Sequence, residues 1–287
     1  MSGLAKWIME KRRNAIIGVM VFGLIPVMFW LAAAILGLVV LRKGVKEGIP
    51  VFAWGCLPGL VIWMLQGDAT ALLVMLDVAL LAYLLRETRS WSWVLLAGSL
   101  LASFNTLIQP LLMSDVLNFA VDLVQTVLQR EAVEVPERSM IFSQAVMAVS
   151  IFQVVIAVFA LLLARKWQAG LYNPGGLRSE FHQLRLPVAF SLVLGTMILI
   201  GESVGGALSV LSQAAVPALI LPGLALVHGI LAKKEIGVVG LIAFYLVGFF
   251  ILNVYFANLL IALCVIDSFV DIRSKIQGKA SNSSDSE

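Results

Sequence analysis

The sequence predicts an all-α fold, a polytopic transmembrane helical bundle, and three observations carry that prediction. Hydrophobic residues make up 61% of the 287 positions and charged residues only 13%, against roughly a quarter charged in soluble domains. The apolar residues are gathered into long runs. The basic residues lie between those runs rather than within them. The net charge of +3 is too small and too dispersed to indicate a nucleic-acid partner, so lipid is the expected surrounding.

The opening MSGLAKWIMEKRR is a short charged lead without a small-residue cleavage site, and it reads as retained. Apolar runs then cover Val51 to Leu65, Thr70 to Leu85, Trp91 to Met113, Met140 to Ala164, Leu186 to Leu231 and Ile236 to Phe269. Of the 20 basic residues, all except Arg130 and Arg138 fall in clusters between the runs or at the chain ends. Basic loops stay on the cytoplasmic side, so each stretch between successive clusters crosses the membrane an even number of times.

That rule fixes the turns. Val51 to Leu85 becomes two helices turning at QGDAT, and Leu186 to Leu231 two helices turning at GESVGG. Gly201, Gly205 and Gly206 supply the backbone freedom of the second turn, which places Glu202 in an external turn. Ala15 to Leu41 is interrupted near Pro26 and gives two pieces too short for full spans, hence a short or re-entrant hairpin. Ile236 to Phe269 divides near Asn253. The expectation is about eight to ten membrane segments in one domain over residues 1–277 of a bacterial cytoplasmic (inner) membrane protein with its C-terminus in the cytoplasm. The polar tail 278–287 is expected to be disordered.

Two segments outside the spans have helical periodicity. In Ser114 to Arg130, Leu117, Ala120, Val124 and Val127 oppose Asp115, Asn118, Asp122 and Gln125, the pattern of an amphipathic helix, and the external segment 114–138 is rich in acids. The cytoplasmic segment 165–185 contains NPGGLRSEFHQLRL, a turn and a short surface helix with Leu177, Phe181 and Leu184 on one side. Phe181 and Leu184 are the candidate partner contacts.

Polar residues within the runs are the candidate site. Asp77 lies nine residues before Arg86, near mid-membrane, where an ionisable group costs about 2.5–3.5 kcal/mol on insertion scales. It reads either as a proton or cation relay or substrate ligand, or as a neutral carboxyl stapling helices together. Asn105, Gln109, Gln144 and Gln213 are expected in the outer half, with Glu202 at the rim. They either line one cavity for a small solute or act singly as interhelical glue. Gly98, Ala102, Asn105 and Gln109 share one helical stripe, as do Ser143, Ser150 and Gln153 on the next helix, while Pro217 and Pro222 interrupt a later one. His228 reads as an interfacial histidine, and Cys56 and Cys264 as packing residues. Asp267 and Asp271 beside Arg273 and Lys275 read as an ion-paired helix end rather than a metal site. Phosphate-loop, dinucleotide, zinc-helix and nucleophile-elbow patterns are missing, so no enzyme, cofactor or metal is expected.

FGLIPVMFWLAAAILGLVVLRKG near the start, FHQLRL, and CVIDSFVDIRSK near the end resemble the YybS-like family of multispanning bacterial membrane proteins. That family is similar to the substrate-capture subunits of energy-coupling-factor vitamin transporters. The resemblance implies a small-solute capture component working with a separate energising transporter module. Those subunits dock through an Ala-xxx-Ala helix face, to which Ala33 with Gly37 is the comparable pair here. The alternative is a membrane scaffold or assembly factor with another membrane protein as partner.

Overall fold

The computed structural model describes residues 2–25 and 27–276, apart from the side chains of Ser2, Glu202 and Ala207. Pro26 and the tail 278–287 lie outside the described residues. Helices account for nearly all of the described chain, and no strand occurs in it. Four helices are long and apolar enough to cross a membrane: Val45–Gln66, Trp91–Leu112, Arg138–Tyr172 and Leu208–Lys233. Val188–Gly201, Gly237–Leu252 and Tyr255–Val270 are shorter apolar helices. The chain forms two compact units, Met1–Pro174 and Gly175–Glu287.

The first unit contains α1 (Ser2–Glu10), α2 (Arg12–Leu24), α3 (Phe29–Lys43), α4 (Val45–Gln66), α5 (Thr70–Thr88), α6 (Trp91–Leu112), α7 (Ser114–Arg130) and α8 (Arg138–Tyr172). The turn expected at QGDAT separates α4 from α5, and the amphipathic segment is α7. At about 1.5 Å per residue, α2 and α3 reach only about 20 and 22 Å, so the N-terminal hairpin is short. It is also enclosed. Every residue of α3 from Ala32 to Leu41 is buried, because α2, α4, α5 and α8 pack around it.

Small side chains permit that enclosure. A Cβ at Gly37 would stand 3.1 Å from the Ala164 Cβ and 3.3 Å from Val78 Cγ1, so α3 lies against α5 and α8 with no room for a larger residue. Ala33 is fully buried as well. The Ala33–Gly37 pair therefore serves packing inside the unit and presents no face to a docking partner.

A helix end buried among other helices leaves carbonyls without intrahelical donors. Arg86, at the end of α5, answers this by donating Nη1 to the Leu41 carbonyl at 2.7 Å and to the Val40 carbonyl at 3.4 Å. Gln168 donates to the same Leu41 carbonyl at 3.3 Å. Arg42 lies over the Tyr172 ring at 4.0 Å, and Arg12 pairs with both carboxylate oxygens of Glu47 at 2.9 Å. This basic end thus ties α2, α3, α4, α5 and α8 together.

The second unit contains α9 (Gly176–His182), α10 (Val188–Val204), α11 (Gly206–Lys233), α12 (Gly237–Leu246), a π-helical turn (Val247–Leu252), α13 (Tyr255–Val270) and α14 (Ile272–Lys275). Gly205 and Gly206 make the α10–α11 turn with φ of 75° and 58°, values a side chain disfavours. Glu202 falls in the last turn of α10 rather than in the loop itself. At Gly223 a Cβ would overlap the Leu260 carbonyl, so α11 and α13 touch through their backbones.

Arg86→Ala should destabilise the first unit by about 2 kcal/mol, since hydrogen bonds involving a charged group contribute about 1.5–3 kcal/mol. Thermal unfolding in detergent measures this. Arg86→Lys should recover only part of the loss, because a single ammonium replaces the guanidinium fork.

Candidate functional site

Helical spacing brings polar residues of α5, α6 and α8 together inside the first unit. Asp77 and Thr70 are seven residues apart on α5, about 10 Å along the axis. On α6 the stripe Gly98, Ala102, Asn105 and Gln109 is buried. On α8, Ser150 and Gln153 face the same interior. Three helices thereby contribute to one row.

The upper part of the row is a chain of hydrogen bonds. Gln109 Nε2 donates to Gln153 Oε1 at 2.7 Å, and Gln153 Nε2 donates to the Thr70 hydroxyl at 3.3 Å. Both glutamines are fully buried. Turning the Gln109 amide over would bring its nitrogen to the Val146 carbonyl at 3.1 Å and its oxygen to the Ser150 hydroxyl at 3.0 Å. If Gln153 turns with it, the Thr70 hydroxyl becomes a donor instead of an acceptor. The turned orientation is the one that satisfies Gln109, because in the other its oxygen faces the Val146 carbonyl and its nitrogen the Ser150 amide.

The lower part is a single hydrogen-bonded pair. Asn105 Nδ2 donates to Asp77 Oδ2 at 3.1 Å. Asp77 is only 1% exposed, and its other oxygen, Oδ1, has no hydrogen-bond partner. A buried polar atom without a partner is uncommon and requires a physical reason. Asn105 is itself 2% exposed, so the pair is shut away from both lipid and water.

Apolar side chains close the end of the row nearest α7. Ala69, Met113, Leu117 and Val146 form a buried cluster there, with Trp63, Leu112, Val116, Phe142 and Val149 packed against it. Trp63 Nε1 donates to the Leu112 carbonyl at 2.7 Å, satisfying the end of α6. Arg138, at the start of α8, reaches Asp122, Gln125 and Asn118 on the polar side of α7. The amphipathic helix is therefore held by an apolar plug on one side and a guanidinium clamp on another.

The remaining candidates are placed apart from this row. Gln144 is exposed on α8, because nine residues at about 100° each put it half a turn away from Gln153. Gln213 lies half-buried on α11 in the second unit. The side chain of Glu202 lies outside the described residues. Asn105 and Gln109 are thus the two expected solute contacts that join Asp77, with Gln153, Thr70 and Ser150 as additional members. Gln153 and Ser150 were visible as a stripe; Thr70 carried no signal of its own.

In the second unit the Asp267–Asp271 pair is an ion-paired helix end. Arg273 lies 3.5 Å from Asp267, and Arg185 lies 3.4 Å from Asp271. Arg185 also donates to the Asp267 and Ser268 carbonyls at 2.8 Å, while Arg273 donates to the carbonyls of His182 and Leu184. Leu184 is buried, and Phe181 packs edge-on to His228 at 5.5 Å. His228 Nε2 lies 2.9 Å from the Tyr245 hydroxyl. Among the described residues no group of three or more His, Cys, Asp or Glu could hold a metal. No protein-family model, curated protein or solved structure matches the chain.

If the Asn105–Asp77 bond carries energy of its own, a double-mutant cycle of Asn105→Ala with Asp77→Ala should give a coupling of about 1 kcal/mol, within the range measured for interhelical hydrogen bonds in membranes. Unfolding in mixed detergent supplies the four stabilities.

His182 gives a separate prediction for the second unit. Burial, followed by the charges of Arg178 and Arg273, holds its pKa below the ordinary histidine value. The unfolded chain then takes up the proton first, so stability present above about pH 6.5 falls as the pH drops through that value. His182→Gln should flatten this part of the pH–stability curve.

Proposed function

We propose that the chain is a non-enzymatic, solute-binding component of a membrane transport system, with the buried row of the first unit as its site. In this reading Asn105, Gln109 and Gln153 offer amide donors and acceptors to a small polar solute. Asp77 couples a proton or cation to occupancy, because a carboxylate deep in the bundle needs one of them to offset its charge. The observation that carries the proposal is the unpartnered Asp77 Oδ1 in an otherwise satisfied polar row. A purely stapling carboxyl would be expected to use both oxygens.

The topology that goes with this reading has eight to ten membrane segments: the four long helices, α5 and the three shorter apolar ones make eight, and the short α2–α3 hairpin adds up to two more. The basic ends and the C-terminus would lie in the cytoplasm of a bacterium, and α7 on the external side. Solute would then enter beneath α7, through the plug of Met113 and Leu117. The resemblance to the YybS-like family, and through it to substrate-capture subunits, points the same way. An energising module would have to contact a surface other than Ala33–Gly37, since that pair is buried.

Native mass spectrometry of protein extracted gently from its own membranes tests the proposal. The wild type should retain a small molecule that Gln153→Leu releases, with retention changing with pH in the wild type and becoming pH-independent in Asp77→Asn. Recovery of a stoichiometric protein partner with no retained molecule under any condition would replace this reading with that of a scaffold.

A further inference from the structure

The α12–α13 hairpin of the second unit is anchored at one end by charge. Lys233 Nζ donates to the Arg273 carbonyl at 3.0 Å, and Arg185, Asp267, Asp271 and Arg273 are interlinked there. Such a cluster belongs at a water interface. From that base the first arm runs over Gly237–Leu252 and the second over Tyr255–Val270, the latter 16 residues long. An α-helix of that length rises about 24 Å, whereas the hydrocarbon core of a bilayer is about 30 Å thick. An upright hairpin therefore ends about 6 Å short of the opposite boundary, and any tilt increases the shortfall.

The tip is ill suited to lie in hydrocarbon. Asn253 turns the chain with φ of 47° and its side chain is exposed. The Asn253 amide donates to the Gly248 carbonyl, and the Asn253 carbonyl accepts from Phe256, but the last carbonyls of a helix lack intrahelical donors. Unsatisfied backbone groups exposed to lipid are strongly disfavoured, whereas drawing the bilayer inward by a few ångströms is a modest cost. Tyr255, 69% exposed, is a residue type that favours the headgroup level.

The side chains along the arms also say what covers them. Val238, Val239, Ile242, Leu246, Phe250 and Ile251 are exposed, and all are large. Helix–helix interfaces in membranes are instead enriched in small and polar residues. Lipid chains fit this surface better than a second helix does.

We infer that the bilayer is thinned around the α12–α13 hairpin, so that Asn253 and Tyr255 meet the headgroups of the leaflet opposite the charged base while acyl chains cover the arms. The inference is independent of the buried row in the first unit. It makes the second unit sensitive to lipid chain length.

The test is site-directed spin labelling of the full-length protein, on a Cys56→Ala, Cys264→Ala background, in phosphatidylcholine vesicles with fourteen-, eighteen- or twenty-two-carbon chains. A label at Val254→Cys is scored by its relative accessibility to oxygen and to a nickel chelate, with Ile242→Cys as the acyl-chain reference. The expected result is headgroup depth in fourteen- and eighteen-carbon lipid, with a melting temperature several degrees lower in twenty-two-carbon lipid. Acyl-chain depth in eighteen-carbon vesicles, shielding from both reagents, or stability indifferent to chain length would each overturn the inference.

Discussion

A polar group inside a lipid-embedded bundle has to find its partner within the protein, and that constraint organises most of the features described above. It explains why Arg86 and Gln168 converge on the last carbonyls of α3, why Trp63 reaches the end of α6, and why Arg185 spans to the end of α13. In each case a long side chain from elsewhere in the chain satisfies the end of a helix. Arg86 and Arg185, which lie between apolar runs of the sequence, thus also hold helix ends in place.

Against that background Asp77 is an exception. Asn105 donates to one of its oxygens, and Gln109, Gln153 and Thr70 are linked to one another further along the row, while the other Asp77 oxygen has no hydrogen-bond partner. Trp167 Nε1, the Ser191 hydroxyl and Arg273 Nε are also buried without partners; the first two are neutral groups, left unsatisfied at smaller cost than a charge, and the Arg273 guanidinium is bound through its other nitrogens to the His182 and Leu184 carbonyls and to Asp267. The amide row lies above Asp77, and the apolar plug beneath α7 closes it off.

Much of this architecture was legible in the sequence because it follows from periodicity and charge. The turns at QGDAT and GESVGG, the limits of the amphipathic helix at Ser114 and Arg130, and the burial of Asn105 and Gln109 all follow from positions of Gly, Pro and polar residues at helical spacing. Gln144 and Gln153 lie on opposite sides of α8, so Gln144 is exposed while Gln153 joins the buried row. Other features were illegible because they arise only from tertiary packing. Ala32 to Leu41 reads like any apolar run, and nothing in it says that four helices enclose it. Arg86 and Arg185 read as topology markers, since the carbonyls they bind belong to helices distant in the chain.

The account rests on Asp77 exchanging a proton or cation within an otherwise satisfied row. Isotope-edited infrared difference spectroscopy of the reconstituted protein across a pH titration tests this most directly, with Asp77→Asn used to assign the carboxyl bands. The account predicts a carboxyl band that titrates, belongs to Asp77, and is accompanied by changes in glutamine amide bands. A difference spectrum with no contribution from Asp77 at any pH would make it a static staple and contradict the central claim.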